Sequence, residues 1–397
     1  MSHTKTPQRA WREVSLSALR RNFSLLRALA PHARICPVLK ANAYGHGACR
    51  LARLYEALGA HALALATAEE ALALRTGGAR LPLLLLGHAE ASAVPALAAH
   101  GVIPTVHSPA SAKEYSHAAQ RAGVLLPVQI KIDTGMGRLG FVARKGREAA
   151  CARAALAAAH LPNLRAVGLF THFSSADEDG VGADYTKDQL RRFLVVKENL
   201  ALAGLILPTH AANSAATLTL PKSHLDMIRP GLALYGISPF GADPSFAPAL
   251  SVKATVAQIK WVKKGEAIGY GRTYHAPRRM RIATLAIGYG DGISRCQSEV
   301  GGGVEVAAQE NAPSPPFTTH APRPNPLFLP FVGRISMDQC TVDATAAPFL
   351  GMGDSVTVLG GGGRVSVGAA AAREGTIPYE LFTRLSPRLP IVYEKES

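Results

Sequence analysis

The sequence lacks a long apolar run and a hydrophobic leader. No apolar stretch reaches the roughly 18 residues that a membrane helix needs. Residues 1–13 are polar and basic, without the apolar core of a secretory signal. We therefore predict a protein that does not interact with a membrane and that lies in the cytoplasm.

Cysteine is also scarce. The five cysteines are odd in number, widely separated and never spaced as C-x-x-C. A disulfide framework or a zinc site requires paired or closely spaced cysteines. We therefore predict neither, and we expect reduced, mostly buried thiols and no metal site.

Acidic residues are outnumbered, with 28 Asp and Glu against 43 Lys and Arg and a formal charge of +15. Such an excess raises the question of nucleic acid. The basic residues, however, are scattered along helical segments, with no basic tail and no interleaved aromatic residues of the kind that bind single strands. We predict a solvated basic surface that favours anionic ligands, and no nucleic-acid partner.

What the sequence does contain is a series of short aliphatic runs separated by Ala- and Leu-rich segments of helical period. A parallel eight-stranded (β/α)8 barrel of the TIM type needs eight such runs in about 250 residues, and the count favours it over a doubly wound open sheet. The runs lie at residues 35–39, 62–66, 83–86, 103–106, 128–132, 166–170, 208–211 and 227–235, and helices are predicted at 69–75, 89–99, 110–121, 147–159 and 189–202.

After Gly236 the composition changes to β-branched, alternating segments separated by glycines, which predicts a mostly antiparallel β-domain. We assign residues 12–244 to the barrel and residues 245–397 to the β-domain, which a strand within residues 1–11 can join. A proline-rich insertion at residues 307–326 predicts a long loop. The predicted strands lie at 251–259, 280–287, 331–335, 355–359, 364–367 and 389–393, with a helical turn at 379–385.

Polar residues follow several of the aliphatic runs at the point where each strand should end. The C-terminal ends of barrel strands meet at one face, where barrel active sites lie, so we expect these side chains to lie close together. They are Lys40 and Tyr44 after the first run, Lys131, Asp133 and Arg138 around the end of the fifth, His172 after the sixth, Ser214 after the seventh and Arg229 within the eighth.

Two glycine-rich motifs have more than one interpretation. Residues 135–140 match G-x-G-x-x-G, but the apolar Phe141 and Val142 follow where a dinucleotide-binding loop would open a helix. A tight loop that presents Arg138 to an anion or carboxylate is the preferred interpretation. The four glycines at 360–363 predict a hairpin turn rather than a phosphate cradle.

Eight segments, in order along the chain, resemble the motifs of the alanine racemase family, whose members are two-domain pyridoxal-phosphate enzymes with an N-terminal barrel. The resemblance extends from about residue 11 to the C-terminus. The segments are VLKANAYGHG at 38–47, KIDTGMGRLG at 131–140, THF at 171–173, HAANS at 210–214, MIRPGL at 227–232, GYG at 269–271, GYGDG at 288–292 and GRISMDQC at 333–340.

The resemblance implies that Lys40 carries pyridoxal 5'-phosphate as a Schiff base and then acts as one of two acid/base groups, with Tyr270 as the other. A proton must leave one face of the substrate Cα and return to the opposite face, and two positioned groups do this without turning the substrate over. The tyrosine reaches across a dimer interface in the family, which implies a homodimer with shared active sites.

Arg229 resembles the arginine set against the pyridine nitrogen of the cofactor. A guanidinium stays protonated, so the ring nitrogen is left neutral and the cofactor is a weaker electron sink, which suppresses transamination. His172 is implied to link Arg229 to Tyr270 by hydrogen bonds.

The remaining implied roles concern the phosphate and the substrate. Arg138 would hold the phenolic oxygen of the cofactor or the substrate carboxylate, positioned by Lys131, which is often carbamylated in this family. The implied phosphate ligands are Tyr44, Ser214, Gly231 and Leu232, and Tyr289 and Met337 of the partner subunit would close the substrate site.

The implied activity is interconversion of L-alanine and D-alanine, which supplies D-alanine for peptidoglycan precursors. A broad-specificity or serine-preferring racemase is the alternative. A pyridoxal-phosphate carrier would lack the second domain, and a decarboxylase would carry an acidic residue in place of Arg229. Two features depart from the family: no tyrosine for the phosphate occurs in residues 382–388, and the insertion at 307–326 has no counterpart.

Overall fold

The structure is a computed structural model that describes residues 8–241, 243–307 and 326–394. Most of the proline-rich insertion therefore lies outside the described residues. The chain forms two compact units, one of residues 19–247 and one of residues 1–18 together with 248–397. None of the helices in the described ranges is long and apolar enough to span a bilayer.

Residues 19–247 form a closed barrel of eight parallel strands. Successive strands pair in chain order, a bridge from Val38 to Ala64 joins the first strand to the second, and the last strand pairs back onto the first. The predicted barrel is confirmed. Its strands are Arg34–Ile35, Leu63–Leu65, Leu83–Leu85, Val102–Ile103 continued by Thr105–Val106, Leu126–Asp133, Leu164–Phe170, Thr209–His210 and Met227–Ile228.

Helices occupy the segments between the strands. Thr67 and Ser108 each begin a helix with a reciprocal cap, in which the side chain accepts a hydrogen bond from the third helical residue. The last predicted run, 227–235, is a strand for only two residues, because Pro230 and Gly231 end it before a short turn of 3-10 helix. The helices are Leu16–Leu29, Ala48–Ala57, Ala68–Thr76, Val94–Ala99, Pro109–Ala122, Glu148–Ala159, Val181–Leu202 and Ser214–Thr219, and the 3-10 turn is Leu232–Tyr235.

The second unit is built around one long strand, Leu250–Val262, whose neighbours run antiparallel to it. The N-terminal strand Ala10–Val14 pairs with this strand and with Ile391–Tyr393. This pairing explains why the N-terminal residues cluster with the β-unit up to residue 18, beyond the predicted limit at residue 11. The other strands are Met280–Leu285, Gly303–Val306, Leu327–Pro330, Cys340–Asp343 and Ser355–Gly360, and the helices are Val367–Glu374 and Pro378–Arg384.

Two strands predicted in this unit are wrong. The segment 331–335 is not a strand, because Gly333 takes a left-handed conformation (φ +73°) directly after it begins. The glycines at 360–363 do not form a hairpin turn, and 364–367 is not a strand. The glycines and the residues that follow them lead instead into the helix Val367–Glu374, whose first turn is capped by the Ser366 side chain.

The turn Tyr289–Asp291 in this unit is fixed by a buried carboxylate. Asp291 is fully buried and accepts hydrogen bonds from Arg9 Nη1 and Nη2, at 2.9 and 2.6 Å. It also accepts one from the backbone N–H of Gly288, at 3.1 Å. Arg388 approaches the same carboxylate at 3.6 Å. The carboxylate therefore ties the N-terminal segment to the loop that carries Tyr289.

We predict that Asp291→Asn lowers the free energy of unfolding by about 1–3 kcal/mol, because an amide keeps one acceptor oxygen where the carboxylate has two and carries no charge to pair with Arg9. Urea denaturation measures this loss. The matched control is Asp338→Asn, because Asp338 is more than half exposed and its ion pair with Arg388 is open to solvent. Equal midpoints for the two variants would contradict the prediction.

Candidate active site

Lys40 lies at the C-terminal end of the first barrel strand and opens an unusual turn. Residues 41–44 all have positive φ, between 51 and 56°, so the chain makes a full left-handed turn without glycine. Each such residue costs roughly 1–2 kcal/mol. Strain of this kind persists only where the surroundings impose it, and it concentrates at functional sites.

Two side chains hold the left-handed turn in place. Glu70 accepts a hydrogen bond from the backbone N–H of Ala41 at 2.6 Å with one oxygen, and from that of Ala66 at 3.0 Å with the other. Asn42 accepts one from the N–H of Ala48 at 2.8 Å. The turn is therefore clamped at both ends.

The turn directs Tyr44 into the barrel mouth. The Tyr44 ring packs 5.0 Å from the ring of Tyr235, and a side chain at Gly231 would approach its hydroxyl to 2.8 Å. His46, which sequence reasoning left without a role, is buried against Tyr235 at 4.4 Å. His46 is therefore a core residue that supports the turn.

Arg229 is buried and contacts the rim of three neighbouring strands. Its Nη2 donates to the backbone oxygens of Thr171 and Ala211, at 2.8 and 3.0 Å. Burial lowers the pKa of the guanidinium to about 10, which still leaves it protonated at neutral pH. Its Nε is buried and has no hydrogen-bond partner among the described residues. One buried donor of Arg229 is thus left unpaired within the described part of the chain.

Arg229 also fixes the state of two histidines. Its Nη1 lies 2.7 Å from Nδ1 of His210, and its Nη2 lies 3.4 Å from Nδ1 of His172. A guanidinium has only donors, so both Nδ1 atoms accept. Burial, assisted by the Arg229 charge, holds the pKa of each imidazole well below its usual value. Both rings are therefore neutral and carry their proton on Nε2.

Lys131 and Arg138 belong to the fifth strand and the loop after it. Lys131 is buried, with Nζ 3.5 Å from the backbone oxygen of Leu86. Burial, followed by the nearby charges of Arg138 and Arg229, lowers its pKa to about 8. Arg138 is exposed and forms no ion pair with the described residues. Asp133 accepts hydrogen bonds from the N–H groups of Gly135 and Gly137, at 2.9 and 3.1 Å.

The loop at 135–140 does not resemble a dinucleotide-binding loop. It leads into Phe141–Val142, which pairs parallel with the end of the fifth strand, and no helix opens at its end. A Cβ on Gly140 would lie 2.5 Å from the backbone nitrogen of Asp133, so the glycine permits a close return of the chain. The loop is a turn wound about Asp133 that presents Arg138.

The predicted phosphate residues also come together. Ser214 begins a short helix, and its Oγ accepts hydrogen bonds from the N–H groups of Gly231 and Ala233, at 2.9 and 3.2 Å. Leu232 lies between these two residues, and the Tyr44 hydroxyl lies against Gly231. The Ser214 hydroxyl proton remains available to donate to a ligand.

The barrel mouth is strongly cationic. Burial lowers the pKa of Lys40, Arg138 lowers it further, and Glu70 opposes both. Lys40, Lys131, Arg138 and Arg229 all act on the pKa of His172 as neighbouring charges. Like charges this close to one another favour an anionic ligand.

Tyr270, Tyr289 and Met337 lie in the β-unit and are exposed, to 66, 43 and 52%. The backbone N–H of Tyr289 donates to Ser336 and that of Gly290 to Met337, so two of the three share one loop pair. A Cβ on Gly269, the residue before Tyr270, would lie 3.1 Å from the backbone nitrogen of Arg334, on the segment that leads to Met337. The unit thus presents all three from adjoining loops.

Sequence reasoning missed Glu70 and His210. Glu70 is signalled only by the helix-capping pattern T-x-x-E at 67–70, and its contact with Ala41 needs the folded chain. His210 lies in the HAANS segment, but its position next to Arg229 depends on the pairing of the seventh and eighth strands.

The first unit is a closed parallel barrel with a cationic mouth at the C-terminal ends of its strands, and the β-unit presents exposed tyrosines. This is the architecture of a two-domain barrel enzyme for anionic ligands. Models for the N-terminal and C-terminal domains of alanine racemase match residues 14–239 and 249–393. The chain belongs to the alanine racemase family.

Individual relatives agree over the full length. An alanine racemase of Desulfosudis oleivorans is 35% identical, covering 97% of this chain and 96% of its own. The crystal structure of an alanine racemase of Clostridium difficile 630 is similar, with a TM-score of 0.87 and 32% identity, covering 98% and 97% of the two chains. Another, from Bartonella henselae with covalently bound pyridoxal phosphate, has a TM-score of 0.82 and 26% identity, covering 98% and 100%.

We predict that Glu70→Gln lowers the free energy of unfolding by about 1–2 kcal/mol. A glutamine offers one acceptor oxygen where Glu70 uses two, so one of the N–H groups of Ala41 and Ala66 loses its partner. The change also removes the charge that opposes the lowering of the Lys40 pKa.

Urea denaturation measures the stability of this variant. Glu69→Gln, one residue earlier on the exposed face of the same helix, is the control, and its midpoint should fall less than that of Glu70→Gln, because its carboxylate contacts only the first turn of its own helix. A Glu70→Gln variant as stable as this control would show that the clamp does not hold the left-handed turn.

Proposed function

We propose that the protein is a pyridoxal-phosphate-dependent alanine racemase that interconverts L-alanine and D-alanine. The observation that carries the proposal is the Nε–H donor of Arg229, which is buried and has no hydrogen-bond partner among the described residues. This donor lies in a cationic barrel mouth, and both units of the chain match the family. When bound, the cofactor would withdraw electrons from the substrate Cα and so acidify its hydrogen.

The residues at the barrel mouth fit this cofactor. Arg229 Nε would donate to the pyridine nitrogen and leave it unprotonated, which limits the electron withdrawal. The Tyr44 and Ser214 hydroxyls and the N–H group of Leu232 would bind the phosphate, and the N–H group of Gly231 would join them by exchanging its hydrogen bond to Ser214 Oγ for one to the phosphate. Gly231 supports this role, since a side chain there would collide with the Tyr44 hydroxyl.

Proton transfer would fall to Lys40 on one face of the substrate and to Tyr270 of the partner subunit on the other. Burial lowers the pKa of Lys40 and so makes a neutral amine more accessible, as a base requires. His172 is neutral with its proton on Nε2, so it is suited to donate a hydrogen bond to the tyrosine oxygen and stabilise its charged form.

Substrate orientation would involve Arg138, which has no ion-pair partner in the described chain and suits a carboxylate or a phenolate. The partner subunit's Tyr289 and the partner subunit's Met337 would close the site. Their exposure here supports a homodimer with shared active sites, because three large side chains on adjoining loops are left facing outward.

We further propose a cytoplasmic enzyme that supplies D-alanine for peptidoglycan precursors. The five cysteines are all free, and three of them are buried, which suits a reducing compartment.

We predict that Tyr270→Phe slows exchange of the L-alanine Cα proton in D₂O by roughly 10²–10⁴-fold, because the variant loses one of the two acid/base groups. Proton NMR follows exchange and circular dichroism follows racemisation, with L-serine assayed beside L-alanine. The control is Tyr274→Phe, four residues away. Full-rate exchange by the Tyr270 variant would exclude the two-base role, and faster turnover of L-serine would favour the serine-preferring alternative.

We predict that Lys131 is carbamylated. Its lowered pKa, about 8, provides a neutral amine to attack carbon dioxide, and the resulting negative charge would face Arg138. In ¹³C-bicarbonate, carbon NMR should show one protein carbamate whose intensity rises with pH through about 8. Lys131→Met should remove this signal, and Lys187→Met, at an exposed lysine, should keep it. A signal that survives Lys131→Met would place the carbamate elsewhere.

A further inference from the structure

The helix Val181–Leu202 follows the sixth barrel strand and carries three polar side chains, Tyr185, Gln189 and Arg192, which we call the polar stripe. Positions i, i+4 and i+7 lie on one face of an α-helix. Gln189 is fully buried, and the Arg192 side chain is 16% exposed. Buried polar groups require hydrogen-bond partners, and those of the polar stripe lie in two neighbouring loops of the barrel mouth.

Two residues of the polar stripe bind the loop that carries Arg138. Arg192 donates from Nη1 to the backbone oxygen of Thr134 at 2.9 Å. The Tyr185 hydroxyl donates to the backbone oxygen of Gly135 at 3.0 Å. Thr134 and Gly135 are the first two residues after the fifth strand. The helix therefore binds both carbonyl groups with which this loop begins.

The loop needs such support because it is rich in glycine. Gly135, Gly137 and Gly140 all have positive φ, and glycine loses more conformational freedom on ordering than any other residue. Gly135 also permits the contact with the helix, since a Cβ at this position would collide with the Tyr185 hydroxyl. The glycine in the loop and the tyrosine on the helix are therefore matched to each other.

The third residue of the polar stripe binds the next loop, which follows the sixth strand. Gln189 accepts at Oε1 from the backbone N–H of Ser174 at 3.0 Å. It donates from Nε2 to the backbone oxygen of His172 at 3.4 Å. The hydroxyls of Thr134 and Thr171, 2.8 Å apart, join the two loops to each other. One helix face thus contacts the backbone on both sides of this junction.

Arg192 is also oriented by its own helix. Its guanidinium pairs with Asp188, one turn earlier, while Nη1 donates to the loop. The adjacent Arg191 pairs with the same aspartate, but it is half exposed and its other partner is Glu148, on the preceding helix. Arg191 therefore has the same charge and a shared partner without the contact to the loop, which makes it a matched control.

We propose that the polar stripe is a positioning element for the two loops. Its outer two members fix the position of the Arg138 guanidinium, and Gln189 fixes the position of the His172 imidazole. The inference deepens the proposed function and rests on it, because that function assigns Arg138 to the substrate carboxylate and His172 to Tyr270 of the partner subunit.

The value of KM reports the support of Arg138. Arg192→Met and Tyr185→Phe should each raise KM for L-alanine roughly 3–10-fold, because each removes one hydrogen bond from the loop. The value of kcat should stay within about twofold of the parent, because a carboxylate is bound equally in the ground state and the transition state. Arg192→Lys keeps a donor and should recover most of the loss, and Arg191→Met should retain the parent KM. A fall in kcat with unchanged KM in Arg192→Met would overturn the assignment.

The value of kcat reports the support of His172. Gln189→Met keeps the length of the side chain and removes both hydrogen bonds, so kcat should fall roughly 3–10-fold. The reason is that the proposed function gives His172 a hydrogen bond to the tyrosine that transfers a proton. KM for L-alanine should stay within about twofold of the parent value. An unchanged kcat in this variant would overturn the role of Gln189.

Amide hydrogen exchange of the purified full chain, followed by mass spectrometry, tests the same assignment without catalysis. Arg192→Met and Tyr185→Phe should speed exchange in residues 134–140 roughly 3–10-fold and leave residues 172–175 unchanged. Gln189→Met should have the opposite pattern, and Arg191→Met should match the parent in both segments.

The outcomes separate the inference from the proposed function. Exchange equal to that of the parent in Arg192→Met and Gln189→Met would overturn the inference, whether or not the protein racemises alanine. Faster exchange throughout the barrel would show a general loss of stability and would overturn it as well. Loop-specific changes in a protein that lacks racemase activity would support the positioning element and overturn the proposed function alone.

Discussion

The structure depends on the burial of one charge, the guanidinium of Arg229. Moving an ion out of water costs several kcal/mol unless its donors are satisfied, and the solution here uses backbone oxygens and imidazole nitrogens rather than a carboxylate. Because a guanidinium can only donate, both imidazoles must accept at Nδ1 and carry their proton on Nε2. One buried charge therefore sets the protonation state of His172, at the barrel mouth, and of His210, on the seventh strand.

A second constraint is the strained turn after Lys40. Four left-handed residues without glycine would unwind in an isolated peptide. They persist because Glu70 and Asn42 bind the backbone on both sides, and because His46 and Tyr235 fill the space beneath Tyr44. The turn places the lysine and the tyrosine at fixed positions on a short, stiff segment. Such stiffness is what a site for an anionic cofactor requires.

The sequence predicted the barrel because eight aliphatic runs are a local signal, and it predicted the barrel-mouth residues because strand ends follow from those runs. The contact between Glu70 and Ala41 depends on the chain meeting itself in space, which no local pattern reports. The same holds for Gly168, which lies next to Gln129 and His210 only in the folded chain. The prediction of a hairpin turn at residues 360–363 was wrong for a related reason. The Ser366 side chain caps a helix that begins directly after these glycines, so the chain continues as a helix and not as a second strand.

The two ends of the barrel differ in charge. Toward the C-terminal ends, Lys40, Lys131, Arg138 and Arg229 lower the pKa of their neighbours, so that end favours anions. Toward the N-terminal ends, the buried polar side chains Gln129 and His210 are both neutral. His210 belongs to both, because it contacts Arg229 through Nδ1 and lines a cavity of about 180 Å³ at the N-terminal ends of the strands. The charge at one end of the barrel therefore determines which nitrogen carries the proton of a histidine that faces the other end, because a guanidinium can only donate.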